Sequence, residues 1–168
     1  FYKEYLTGPQ CVYLPLCIDK VDHEDAKFDT NQVTVMGRLS SEKAYDDMLR
    51  VFVKVLEQNP SAHLNIVGDG EERHNLSVLA DRLGIADSVT FYGNKVGKEK
   101  SQILENTSVF VTTSHYESFG LVLLEAMDYG IPCLSFDSAK GSLDIIEDGK
   151  DGYIIKNRDL DQMAKLSC

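Results

Sequence analysis

The sequence predicts an α/β protein of the doubly wound kind, a parallel sheet with helices on both faces. Three observations carry this. Apolar runs of three to five residues recur along the chain, segments of helical period separate them, and glycine closes most of the runs. Strands that are apolar nearly throughout belong to sheets buried on both sides. The right-handed crossover then winds such a chain into a Rossmann-like sandwich.

The elements follow in order. Phe1 to Thr30 is irregular, with Val12-Tyr13-Leu14 a short strand before Pro15 and Asp19 to Asp29 a polar, acidic loop. Val33–Met36 is a strand ending at Gly37. Glu42–Gln58 is a helix whose apolar face is Tyr45, Met48, Leu49, Phe52, Val53 and Leu56, and Asn59-Pro60 stops it. His63–Val67 is the next strand, followed by Gly68-Asp69-Gly70 and a helix to Leu83 with Gly84 as its C-cap. Ser88–Tyr92 is a strand, Lys98–Asn106 a short helix, Val109–Thr113 a strand and Ser118–Tyr129 a helix closed by Gly130. Cys133–Phe136 and Tyr153–Ile155 are the last strands, and Asp159–Leu166 begins a helix that the chain end cuts short.

Composition bounds the function. The 168 residues fit one domain, and 43% apolar with 26% charged residues argues for a packed core. A net charge of −10 without a basic stripe argues against a nucleic-acid partner, because a polyanion needs clustered Lys and Arg. No apolar run is long enough to span a bilayer, and no signal peptide is visible. The chain opens on Phe1, as a piece of a longer protein would. Cys11, Cys17, Cys133 and Cys168 form no CxxC and read as free thiols in a reducing, cytoplasmic setting.

In this architecture ligands sit outside the carboxyl ends of the strands, where the loops open helix N-termini. Arg38 follows strand-ending Gly37, and Lys43 falls in the first turn of the next helix, where a cation opposes the helix dipole. An anion such as a diphosphate between them would explain both. For Lys43 alone, pairing with Glu42 or Asp46 on a solvated face is the favoured alternative. From Phe119 to Met127 the helix is apolar on every side except Glu125, which predicts a buried helix and a carboxylate in need of partners. Ligand hydroxyls could supply them, and so could Arg38. Gly120 would let a ligand approach backbone N–H groups, while Glu117 is ordinary for a residue just before a helix.

Other candidates weigh less. Gly68-Asp69-Gly70 lacks the third glycine of a dinucleotide fingerprint and reads as a tight turn. Asp159-x-Asp161 is an N-cap with a first-turn acid rather than a metal site, and the sequence offers no metal-ligand cluster. Of the four histidines only His115 falls in a strand-end loop.

The run Glu117-Ser118-Phe119-Gly120-Leu121-Val122-Leu123-Leu124-Glu125-Ala126-Met127, closed by Gly130-Ile131-Pro132, resembles the donor-binding domain of retaining glycosyltransferases of family four. This group, glycosyl transferases group one, has GT-B architecture. Gly37-Arg38-Leu39 with Lys43, Val67-Gly68-Asp69-Gly70, Val89-Thr90-Phe91-Tyr92-Gly93 and Glu147 to Tyr153 are similar in order and spacing. The resemblance covers Val33 to Leu166.

It implies that Arg38 and Lys43 clamp the donor diphosphate and stabilise the leaving nucleotide. Gly37, Phe119, Gly120 and Leu121 would lie against the donor, the last three presenting N–H groups. Glu125 would accept the ribose hydroxyls, Glu117 would contact the transferred sugar, and backbone at Lys95-Val96 would face the base. The donor would be a nucleotide-diphosphate sugar, such as a UDP- or GDP-sugar, and transfer would proceed by front-face attack without metal or other cofactor. Ala44 stands where the family commonly has glycine, which should tighten the helix start. GT-B enzymes also need an N-terminal domain for the glycan or lipid-linked acceptor. Residues 1–30 then read as the entry segment from that domain, and 31–168 as the nucleotide-sugar-binding half of an enzyme, inactive alone. Peripheral contact with the inner membrane face would come through the missing domain. A non-catalytic doubly wound regulatory or interaction module is the alternative, and a GT-B epimerase or phosphorylase a third.

Overall fold

The computed structural model of the chain describes Ile18 and residues 23–168. The strand expected at Val12-Tyr13-Leu14, the thiols of Cys11 and Cys17 and the first residues of the acidic loop lie outside the described residues. The strands are β1 (Gln32–Met36), β2 (His63–Val67), β3 (Val89–Gly93), β4 (Val109–Thr112), β5 (Cys133–Phe136) and β6 (Gly152–Ile155). They form one six-stranded sheet in the order β3-β2-β1-β4-β5-β6, and every pairing is parallel. The helices are α1 (Tyr45–Gln58), α2 (Arg73–Arg82), α3 (Gly97–Glu105), α4 (Leu121–Asp128) and α5 (Leu160–Leu166). The doubly wound α/β sheet expected from the sequence is therefore present. Among the described residues, no helix is long and apolar enough to cross a membrane.

Two cores divide the molecule. On one face Val33, Val35, Leu64, Ile66, Val111 and Phe136 meet Met48, Leu49 and Phe52 of α1 and Met163 of α5. On the other, Phe110 and Cys133 meet Leu104 of α3 and Leu123, Ala126 and Tyr129 at α4. Burial pushes the Cys133 thiol up to about 12, with Asp151 adding to the shift, so it behaves as a small apolar group. In α1, Tyr45, Met48, Leu49 and Phe52 are buried as expected, Val53 and Leu56 are half-buried against the same core, and Val51 and Val55 are buried as well. The apolar face is widened because α1 lies between α2 and α5 and is covered on both flanks.

The sheet is not apolar on both sides throughout. Gln32 and Thr34 of β1, His63 and Asn65 of β2 and Thr90 of β3 alternate with apolar residues, and the two-residue repeat turns them toward the α3 side. Thr34 and Thr107 hydroxyls lie 2.7 Å apart, the Asn65 amide donates to Gln32 Oε1 at 3.1 Å, and His63 Nε2 lies 2.7 Å from Thr90 Oγ1. An open polar groove of about 490 Å³, lined by Gln32, Asn65, Tyr92, Lys95 and Gln102, runs along this half-face.

Two helices begin later than the sequence pattern predicts. A 3-10 turn spans Ser41–Lys43, and Ala44 (φ 49°, ψ 46°) is left-handed, so α1 starts at Tyr45 rather than Glu42. Gly120 is likewise left-handed (φ 87°) and delays α4 from Ser118 to Leu121. Lys43 consequently lies outside α1 and does not oppose its first turn. Ala44 is not a helical residue at all, so its helix propensity cannot tighten the start. An alanine in this region carries a steric cost that glycine does not.

Candidate active site

The strand order reverses between β1 and β4, and their helices α1 and α4 leave on opposite faces. A crevice opens at that point, outside the carboxyl ends of the strands. Its walls are the loop from Gly37 to Ala44 and the loop from Thr113 to Gly120. Tertiary hydrogen bonds join them: Thr113 Oγ1 donates to the Lys43 carbonyl at 3.0 Å, and the His115 N–H donates to the Glu42 carbonyl at 2.8 Å. His115 contributes its backbone here, and its side chain is exposed.

Lys43 Nζ lies 2.5 Å from Glu117 Oε2, with the two side chains only 22% and 14% exposed. The pairing expected for Lys43 alone, with Glu42 or Asp46, is replaced by one across the crevice. Below this pair, between it and the strand ends at Met36 and Thr112, the cavity is only about 10 Å³. The pair thus closes the crevice floor, and anything larger than a water must bind above it. Tyr45 also lines that cavity. Burial, reinforced by the charge of Glu117, raises its phenol well above the usual range and keeps it protonated.

Arg38 stands at the outer rim, 72% exposed, and donates to Glu71 Oε2 at 3.2 Å. It is not the partner of Glu125. That role belongs to Lys100 on α3, whose Nζ lies 3.0 Å from Glu125 Oε1, with the side chains 27% and 29% exposed. Nor is α4 buried all round. Leu123 and Ala126 are buried, but Leu121 is 41% exposed and Val122, Leu124, Glu125 and Met127 are half-buried. One flank of the helix therefore faces the open crevice.

Gly120 is required by the packing of the chain on itself at this turn, where its backbone is left-handed. A Cβ there would lie 3.2 Å from Leu123 Cδ1 and 3.4 Å from Glu117 Cγ, and no side chain caps the helix. Its first backbone donors are available to an anion. Phe119 is half-buried beside it and backed by the loop after β5, where the Gly141 N–H donates to the Glu117 carbonyl at 2.8 Å. Val96, 78% exposed, immediately precedes α3. Gly68 lies against the Gly37 loop so closely that a Cβ would fall 1.9 Å from the Gly37 carbonyl oxygen. Gly68-Asp69-Gly70 is thus a loop-packing turn, as the missing third glycine suggests.

Arg158 was not singled out by the sequence. Its guanidinium donates to Asp47 Oδ2 at 2.5 Å, to the carbonyls of Thr113 and Ser114 at 3.0 and 3.4 Å, and to Ser138 Oγ at 3.1 Å. It also stacks 4.5 Å from the Phe136 ring centroid. Nothing in the pattern marks this arginine, because its partners are carbonyls far along the chain. Lys100 could have been anticipated, since a half-buried carboxylate on an apolar helix calls for a cation from a facing helix. Asp159 caps α5, accepting from the Asp161 and Gln162 N–H groups at 3.0 Å. Among the described residues, no group of three or more His, Cys, Asp or Glu could hold a metal ion.

Comparisons with known proteins agree with this arrangement. The glycosyl transferases group 1 family matches residues 19–167. An uncharacterised glycosyltransferase of Haemophilus influenzae is 32% identical over 140 residues, 83% of this chain and 39% of that protein. A TarM mutant of S. aureus, solved in complex with fondaparinux, alpha-GlcNAc-glycerol and UDP, superposes with a TM-score of 0.81 at 25% identity, over 89% of this chain and 30% of that one. The pneumococcal O-GlcNAc transferase GtfA, solved with UDP and GlcNAc, gives a TM-score of 0.74 at 28% identity, over 87% of this chain and 31% of that one. The chain spans less than half the length of each of these proteins. A family match across nearly all of its residues, on a sheet with GT-B glycosyltransferases as structural neighbours, makes the chain a member of glycosyl transferases group 1.

Proposed function

We propose that this chain is the nucleotide-sugar-binding half of a glycosyltransferase, with residues 31–168 as the donor domain and 1–30 leading in from an acceptor domain. The observation that carries the reading is the Lys43–Glu117 pair spanning the switch-point crevice, the place where doubly wound folds bind nucleotides. The structural neighbours that contain UDP support the choice of ligand.

In this reading the donor diphosphate lies over the crevice floor, between Lys43, Arg38 and the backbone donors of Phe119, Gly120 and Leu121. Arg38 turns inward from Glu71, at little cost because an exposed ion pair contributes about 0–1 kcal/mol. Glu125 accepts the ribose hydroxyls, and backbone at Val96 faces the base. As the bond between the anomeric carbon and the phosphate oxygen breaks, negative charge grows on the leaving diphosphate. Lys43 and Arg38 stabilise it there. The acceptor oxygen then attacks from the same face and passes its proton to the departing phosphate, giving retention. Glu117, tied to Lys43, stands beside the sugar and stabilises its cationic character. This chemistry draws on no metal or organic cofactor. The acceptor, a glycan or lipid-linked sugar, is held by the other domain, so the chain alone binds donor without turnover.

Titration calorimetry of the chain with UDP, GDP and ADP tests the reading. Saturable binding of at least one is expected, and a folded sample that gives no heat with any of them would overturn it. The competing reading, a non-catalytic interaction module, draws on the fact that Arg38, Lys43 and Glu125 are all paired within the chain. Absence of nucleotide binding would select it.

A further inference from the structure

The sequence motifs leave Lys100 unassigned, yet it makes a half-buried polar contact beside the crevice. We infer that Lys100 is a positioning residue for sugar specificity in the nucleotide: it holds Glu125 so that the carboxylate distinguishes a ribose carrying its 2′,3′-diol from one that lacks it. The inference rests on the proposed role of Glu125 as ribose acceptor.

The geometry supports it in three ways. Lys100 Nζ engages Oε1 of Glu125 at 3.0 Å. A carboxylate offers about four acceptor positions, so the other oxygen stays free to accept from two neighbouring hydroxyls. Next along the same helix pair, the Tyr129 hydroxyl donates to Ser101 Oγ at 2.9 Å. These two polar contacts, made by consecutive residues of α3 with Glu125 of α4 and with Tyr129 at its C-cap one turn on, fix the register of the helices and hence the position of Lys100. Third, of the residues one turn away from Glu125, Leu121 and Val122 cannot hydrogen-bond a carboxylate through their side chains, the Asp128 carboxylate pairs with His23, and the Tyr129 hydroxyl donates to Ser101. Without the ammonium group Glu125 would lose its fixed partner and turn outward to water, which removes an oriented acceptor.

A site built to bond hydroxyls rejects a ligand lacking them because its polar groups are left unpaired. The test compares UDP and GDP with their 2′,3′-dideoxy counterparts by calorimetry on the whole chain. The wild type should prefer the natural form of its better nucleotide by about tenfold or more, as expected for hydrogen bonds to a charged group. Lys100→Met should reduce that preference to about twofold, while its affinity for the dideoxy nucleotide and its melting temperature stay near those of the wild type. Lys100→Arg should restore most of the preference, which a purely structural role would not predict. Lys100→Leu carries the same expectation as Lys100→Met if the latter does not fold. A folded Met or Leu variant that keeps the full preference would overturn the assignment while leaving the proposed function standing. A wild type that binds the natural and dideoxy forms equally would remove Glu125 from the ribose and the inference with it. Failure to bind any of these nucleotides would instead defeat the proposed function itself.

Discussion

Lys43 and Glu117, 74 residues apart in sequence, meet at 2.5 Å where the strand order reverses. Each is the main charge partner of the other in a poorly hydrated place, so removing one leaves the other uncompensated. Lys43→Ala should cost about 1–3 kcal/mol of stability and abolish nucleoside diphosphate binding. Glu117→Gln should differ: it keeps a hydrogen-bonding group beside Lys43 and frees the ammonium charge, so diphosphate affinity should hold or rise. Chemical denaturation and calorimetry on both variants check this, and parallel loss of binding in Glu117→Gln would contradict it.

Ala44 occupies a left-handed conformation at φ 49°. Glycine adopts that region without steric cost. Ala44→Gly should therefore stabilise the protein by about 0.5–1 kcal/mol, raising the melting temperature by about 1–4 °C. A fall on thermal melting would show that the greater freedom of glycine in the unfolded chain outweighs the relieved backbone angle.

Arg158 ties α1, the end of β4 and the loop after β5 through one planar group. It and Asn157 are also consecutive left-handed residues, at φ 51° and 56°, a cost that these contacts must outweigh. Arg158→Met should destabilise by about 2–4 kcal/mol, and Arg158→Lys should recover less than half because an ammonium cannot reproduce the fork. Urea unfolding gives the free energies. Hydrogen exchange should show earlier opening at Thr113 and Ser114.

The hydrogen bond from His23 to Asp128, 2.9 Å long, raises the imidazole above its ordinary value of 6.5, with the Glu24 carbonyl and the charge of Asp25 adding to the effect. A raised folded-state value means that protonation favours the native state. The contribution is complete below pH 6.5 and is lost as pH rises through the higher native value. His63 is shifted downward by burial and acts in the opposite sense, so the comparison must be with His23→Gln. The gap in melting temperature between wild type and this variant should be widest at about pH 5.5 and close by about pH 8.5, either side of neutrality. A gap that stays constant would exclude protonation as its source.

Strands were legible because β2 and β5 carry their signal locally, as short apolar runs followed by a stop. The starts of α1 and α4 were not: Gly120 turns left-handed before α4, and the start of α1 is set from outside its own segment. Ser41, Glu42 and Lys43 are compatible with helix, but the Thr113 hydroxyl and His115 N–H take the Lys43 and Glu42 carbonyls from across the crevice, and this tertiary demand overrides local preference. The strand-end loops around Gly37 and Gly120 followed from topology alone. Which charges would meet did not, because Lys43 with Glu117, Arg38 with Glu71 and Lys100 with Glu125 pair across long separations that local periodicity does not encode.

The hydrophilic half-face of β1, β2 and β3 has a mechanical corollary. Water reaches that side of the sheet along the groove lined by Asn65 and Tyr92, whereas β4 and β5 are enclosed by α4 on one side and the α1–α5 layer on the other. The sheet is thus seasoned unevenly, dry timber at one margin and damp at the other. Thermal fluctuation should peel β3 and α2 away first and leave the inner β4–β5 pair, with the Glu117 loop anchored to it, as the last part to yield.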